Sequence, residues 1–156
     1  GPYVTLYFEN RDTIVHQINE MVFIENGGNE QIEEEILAYK SLIPNGKELI
    51  ATVMVEIDSP IKRAEVLSKM GGFEQTFSIN IGNLSVKGKA ELDVDRTTSD
   101  GKASSVQFVH FNFNNEEIKK FKDCNLKIAL SINHEAYAHS TYLQSDTQHE
   151  LSLDFY

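Results

Sequence analysis

Among 156 residues there is one cysteine, no tryptophan and only three prolines. A single thiol excludes an internal disulfide and fits a reducing cytoplasm. Cys124 stands after Lys122 and Asp123, at an expected helix-to-strand junction. The adjacent lysine alone does not make it a reactive thiolate, so a structural role is expected. No apolar run approaches the roughly 20 residues that a membrane-spanning helix needs, so no membrane role is expected. Positive charge is scarce too: 14 Lys and Arg stand against 24 Asp and Glu, a net charge of −10. Such a surface repels phosphate backbones, which argues against nucleic acid as a partner. The chain opens on Gly1-Pro2 and turns at once into a strand-like stretch, so no secretory leader is expected in it. The missing initial Met points to trimming upstream.

Specific chemical motifs are equally scarce. Gly27-Gly28 and Gly71-Gly72 lack the spacing of a phosphate-binding loop. No Cys cluster is available for zinc or an iron–sulfur centre, and no nucleophile elbow occurs. The sequence therefore names no reaction and no cofactor.

What is present is hydrophobic periodicity. Val4, Leu6 and Phe8 alternate with Thr5, Tyr7 and Glu9, which reads as a strand. Asn10 offers an N-cap, and Ile14, Ile18, Met21 and Val22 follow at helical spacing until Gly27-Gly28. A second helix begins near Asn29 and carries Ile32, Ile36 and Tyr39 on one stripe; Pro44-Asn45-Gly46 ends it in a turn. Leu49, Ala51, Val53, Val55 and Ile57 alternate with Ile50 and Met54 on the opposite face, the pattern of a central strand. Ser59-Pro60 opens another helix, running through Leu67 toward Met70.

Phe77, Ile79 and Ile81 form the next strand, and Gly82-Asn83 a tight turn. Leu84, Val86, Gly88, Ala90, Leu92 and Val94 alternate with polar residues, so one face is wet and the other dry. Val106 to Phe113 is a Phe-rich strand, a short helix follows from Glu116 to Lys122, and Leu126, Ile128, Leu130 and Ile132 alternate again. The stretch from Gln144 to Tyr156 is polar and reads either as a helix turn or as an edge strand.

Short turns between strands favour antiparallel pairing. The expected fold is α+β: one domain over residues 1–156, with an antiparallel sheet of five to seven strands and three or four helices packed on one face. A half-covered sheet with aromatic strands further predicts a homodimer that buries the other face.

Candidate site residues are few. His134-Glu135-Ala136-Tyr137-Ala138-His139 follows a buried-looking strand, where loops commonly carry function. Two imidazoles with a Tyr offer metal ligands or acid–base groups. Their spacing of five is not the His-Glu-x-x-His of helical zinc enzymes, and a turn with backbone-bonded imidazoles accounts for the pattern more simply. His16 and Glu20 lie four apart on one helix face, with Glu33, Glu34 and Glu35 on the next helix, yet acidic helix faces are usually just solvated. Arg96, in a loop with Thr97, Thr98, Asp100, Gly101 and Lys102, is either an anion clasp or a polar hairpin. His110, in the Phe-rich strand, has no nucleophile assigned to it.

Four segments then carry a family resemblance. They are Thr5 through Thr13 followed by Gln17 to Met21; Tyr39-Lys40-Ser41-Leu42-Ile43-Pro44-Asn45-Gly46-Lys47-Glu48-Leu49 with Ala51-Thr52; Asp95-Arg96-Thr97 through Gly101-Lys102-Ala103-Ser104 and Val106; and Ile132-Asn133-His134 with Tyr137. Together they resemble a bacterial domain-of-unknown-function family often encoded beside rubrerythrin and an iron–sulfur oxidoreductase. The resemblance implies no established activity and no catalytic residues. Where the family pattern has His and Arg in the Phe-rich strand, this chain has Gln107 and His110.

Two functions stay open at this stage. One is a non-catalytic accessory protein with a redox partner, in peroxide or oxygen defence. The other is a small-molecule or metal-binding enzyme using His134, Tyr137 and His139 with Arg96 or Glu20. Convergence of those side chains in one pocket would favour the second.

Overall fold

A computed structural model describes residues 1–91 and 102–156. Strand β1 (Val4–Glu9) leads into helices α1 (Arg11–Glu25) and α2 (Asn29–Tyr39), a 3-10 turn (Lys40–Leu42) and strand β2 (Glu48–Val55). Helix α3 (Pro60–Leu67) precedes strands β3 (Phe77–Ile81), β4 (Leu84–Ala90) and β5 (Val106–Asn112). Helix α4 (Asn115–Phe121), strands β6 (Ile128–His134) and β7 (Tyr137–Tyr142), and helix α5 (Ser145–Ser152) complete the order.

The helix starts follow local chemistry. Asn10 accepts from the Thr13 amide while the Thr13 hydroxyl accepts from the Asn10 amide, so two orphan amides at the start of α1 are satisfied. Ser59 caps α3 with Pro60 in its first turn, and Asn114 and Glu117 form a reciprocal box on α4. Asn26, at a φ of 51°, closes α1 in the left-handed region. The β3–β4 hairpin turns on Gly82 and Asn83, with Gly82 at a φ of 56°.

All seven strands join one antiparallel sheet in the order β1-β2-β5-β4-β3-β6-β7. The sheet curls until its two edge strands meet at one corner. There the Tyr3 amide donates to the Tyr137 hydroxyl at 3.3 Å, and the two rings lie 6.4 Å apart. The expected α+β class and antiparallel sheet are the ones found. The helices number five among the described residues, and they divide between the two sides of the sheet.

The inner side holds the main core. Ala51, Val53, Phe77, Ile79, Val109, Phe111 and Ile128 are fully buried there, with Leu67 of α3, Phe121 of α4 and Leu151 of α5 packed in. Phe121 and Phe155 meet Phe113 edge-on, with centroids 5.6 and 4.9 Å away. On the outer side Ile50 of β2 packs against Ile14 of α1 and Leu42 of the 3-10 turn. Alternation along β2 explains the split, since residues 50 and 51 point to opposite faces.

The expected β4 alternation holds through Ala90; Leu92 and Val94 lie outside the described residues. The stretch from His134 to His139, expected as a loop, is instead the end of β6, a two-residue turn and the start of an edge strand that runs from Tyr137 to Tyr142. Only Tyr137 of it is buried, so an edge position removes the apolar alternation that would announce a strand. The polar tail resolves as α5.

Gly88 is required by close packing. A Cβ there would lie 2.6 Å from Val109 Cγ1 and 3.0 Å from Phe77 Cβ. Gly88→Ala is expected to destabilise the fold by about 1–3 kcal/mol, read as a lower urea midpoint at unchanged slope. Asp154, beside buried Phe155, has its carboxyl pushed above the usual range by burial. Its folded-state pKa exceeds the unfolded one, so its charge opposes folding at neutral pH, and that cost fades as pH falls. Asp154→Asn is therefore expected to raise Tm at pH 7, with the gain closing as pH falls toward about 4; a gain that grows on acidification would refute this.

Candidate functional site

A groove of about 1000 Å³ runs along the β1 edge of the sheet. It is walled on the outer side by Asp12, Thr13, His16 and Gln17 of α1, and on the inner side by Thr147, Glu150 and Leu151 of α5. Leu6, Tyr7, Phe8 and Glu9 of β1 lie between these walls. The outer sheet face continues the groove through Thr52, Met54, Val106 and Phe108. Tyr39 and Leu42 close it near the 3-10 turn.

Glu9 fixes this geometry. Its carboxylate accepts from the Thr52 hydroxyl of β2 at 2.5 Å and from the Thr13 hydroxyl of α1 at 2.6 Å. One side chain thereby ties the end of β1 to its neighbour strand and to the cap of the helix above. Charge-assisted bonds of this kind are stronger than neutral ones, which suits a hinge between strand and helix. The rest of the lining is apolar at its floor, with an acidic rim of Asp12 and Glu150; no Lys or Arg is among the described lining residues.

The residues singled out in the sequence are placed differently. His134 ends β6 and Tyr137 begins β7, across a two-residue turn. His134 Nδ1 accepts from the Ala136 amide at 3.1 Å, so Nε2 carries the proton and donates to the Gly71 carbonyl at 3.1 Å. Both ring nitrogens thus bond to backbone. Tyr137 is buried, its hydroxyl accepts from Tyr3, and its ring lies 4.5 Å from that of exposed His139.

Glu20 is exposed on α1, an element packed by the β2 side of the sheet rather than on the β6–β7 hairpin. Arg96 lies outside the described residues. Among the described residues, no three His, Cys, Asp or Glu side chains gather as a set that could hold a metal ion. The structure therefore joins Tyr137 to His139, seats His134 on the backbone beside them, and keeps Glu20 on a separate element.

His16 does line a cavity, but with Asp12 and Gln17 as neighbours along α1. His110 faces the outer side and meets Glu48 across the strands, Nδ1 to Oε2, at 3.2 Å. Gln107 is buried on the inner side, donating to the Ser104 carbonyl at 3.3 Å. Cys124 is exposed.

Sequence reasoning misses the groove because its parts come from both ends of the chain. The available signal was the Asn10–Thr13 cap directly after an edge-like strand, which places α1 over β1. No helix among the described residues is long and apolar enough to cross a membrane.

Fold and groove together define an α+β protein with a curled antiparallel sheet and an open channel along one edge. The chain belongs to the family described as a protein of unknown function (DUF3501), whose model matches residues 1–155. It is similar to a novel protein of unknown function from Burkholderia pseudomallei K96243 solved by crystallography at 1.90 Å resolution: 27% identical, over 98% of this chain and 80% of that one, with a TM-score of 0.88. No curated protein matches the chain.

The hydrogen bonds of His134 lead to a direct test. His134→Ala removes the ring acceptor of the Ala136 amide and the ring donor to the Gly71 carbonyl at once, so a loss of about 1–2 kcal/mol in stability is expected by chemical denaturation. Unchanged stability would show that the ring does not hold the turn.

Proposed function

We propose that this protein is a non-catalytic accessory protein that binds a redox or oxidative-stress protein through the β1 groove. The observation that supports this reading best is the groove itself: a long, open surface whose central carboxylate, Glu9, is engaged by two threonine hydroxyls. Such a lining offers shape, apolar contact and negative charge to a partner. The engagement of both His134 nitrogens by backbone weighs against the His-based enzyme reading. The redox part of the proposal is supported by the gene company that the family resemblance implies. A reducing cytoplasmic setting belongs with it, in keeping with one exposed, unpaired thiol.

The test is affinity capture of tagged protein from its own bacterium, with mass spectrometry of the bound fraction. Wild type is expected to recover a redox protein. Tyr7→Ala, which trims a half-exposed groove side chain, is expected to weaken that capture by roughly tenfold, about 1.4 kcal/mol. Recovery of no redox protein by the wild type would sink the reading.

A further inference from the structure

We infer that the groove receives an extended, basic segment of a partner polypeptide, which pairs with β1 as an added strand. The inference rests on the binding role just proposed and names the chemistry of the partner.

The argument begins with the phase of the β1–β2 ladder. In an antiparallel pair, facing residues alternate between those that exchange both backbone hydrogen bonds and those that exchange none. Glu56 donates to the Tyr3 carbonyl at 2.7 Å, so the Tyr3–Glu56 pair is of the bonded kind. The register then makes Thr5–Met54, Tyr7–Thr52 and Glu9–Ile50 bonded as well. Val4, Leu6 and Phe8 are the alternate residues, and their N–H and C=O groups point away from β2. The amide of Val55, which faces Val4, confirms the phase: it turns the other way and donates to the Ser105 carbonyl at 2.8 Å.

β1 is the outermost strand, and no other strand of the described residues pairs with its far side. Leu6 and Phe8 are also groove-lining residues. Backbone donors and acceptors at strand spacing therefore face into a channel already walled by α1 and α5. Exposed edges are usually blunted by charge, Pro or a covering element, because they template pairing. Here the flanking helices stand to either side of the edge and leave its rim open.

The side chains choose the occupant. An added strand would alternate its side chains between the two faces of the sheet. Toward the inner side they would meet Leu6, Phe8 and Leu151; toward the outer side, Tyr7, Asp12 and His16. Asp12 and Glu150 carry the rim charge, and no Lys or Arg is among the described lining residues. Alternating apolar and cationic residues match both walls, and main-chain pairing supplies affinity in the manner of strand addition. A second copy of this chain fits less well, since each copy carries a net charge of −10.

The experiment uses the full chain and four synthetic hexapeptides: alternating Val and Lys, alternating Val and Glu, and the Val–Lys peptide N-methylated on alternate amides in either of the two phases. Fluorescence anisotropy reads binding, and amide hydrogen exchange of residues 4–9 reads the site. The Val–Lys peptide is expected to bind and to slow exchange at Leu6 and Phe8. N-methylation in one phase only, and Glu for Lys, are each expected to weaken binding at least tenfold. Asp12→Lys, on the outer wall that the peptide's lysines would face, is expected to do the same, and because the methylated peptides leave the protein intact, a misfolded variant cannot decide the result.

Equal binding of both methylated phases, no protection at Leu6 and Phe8, or indifference to charge would overturn the inference. Protection at β1 without peptide, growing with protein concentration, would assign the edge to a second copy and overturn it too. If Val–Lys fails while Tyr7→Ala still weakens redox-protein capture, the binding role stands and the strand-addition inference falls. If Val–Lys binds as described while no redox protein is captured, the reverse holds.

Discussion

The pairing of β1 with β2 governs the rest of the molecule. A seven-stranded antiparallel sheet that curls far enough brings its first and last strands together; here they meet at the Tyr3–Tyr137 corner, and among the described residues they form no ladder. Full closure would have satisfied every edge amide. Incomplete closure leaves β1 with one satisfied side and one open side. Glu9 then holds α1 above the sheet through Thr13 and Thr52, while Leu151 of α5 reaches into the inner core. The groove is the space that these two anchorages leave along an edge with which no further strand of the described residues pairs.

The two sides of the sheet have different tasks. The inner side is packed by aromatic and branched residues, with Phe113, Phe121 and Phe155 edge-on to one another. Lys122 donates to the Phe155 carbonyl at 2.9 Å, which pins the end of the chain onto α4. The outer side is covered over Ile50 by Ile14 and Leu42, and is more open toward Met54, Val106 and Phe108. Core packing thus makes the sheet rigid on one side, while partial cover on the other exposes apolar surface and a charged rim. Rigid elements that carry a partly open face are well suited to recognition, because little ordering is left to be done on binding.

Much of the fold was legible along the chain. Alternation placed β1 through β6, and Asn10, Ser59-Pro60 and Gly82-Asn83 marked caps and a hairpin where local chemistry allows little else. The site was far less legible. His134 and His139 drew attention as a loop, yet they belong to a hairpin whose outer strand is polar because it lies at an edge. The bonding of His134 to Gly71 links residues 63 apart in sequence, beyond any spacing rule. The groove was invisible for the same reason: Leu6 and Glu150 share it from opposite ends of the chain.

Sequence alone determined the α+β class, most strand positions, the helix starts and the net negative charge, because each depends on neighbouring residues or on totals. Tertiary structure decided which strands became edges, how far the sheet closed, and which backbone groups were left facing outward. Those outcomes depend on register and curl summed over seven strands, and no local pattern encodes where a ladder ends.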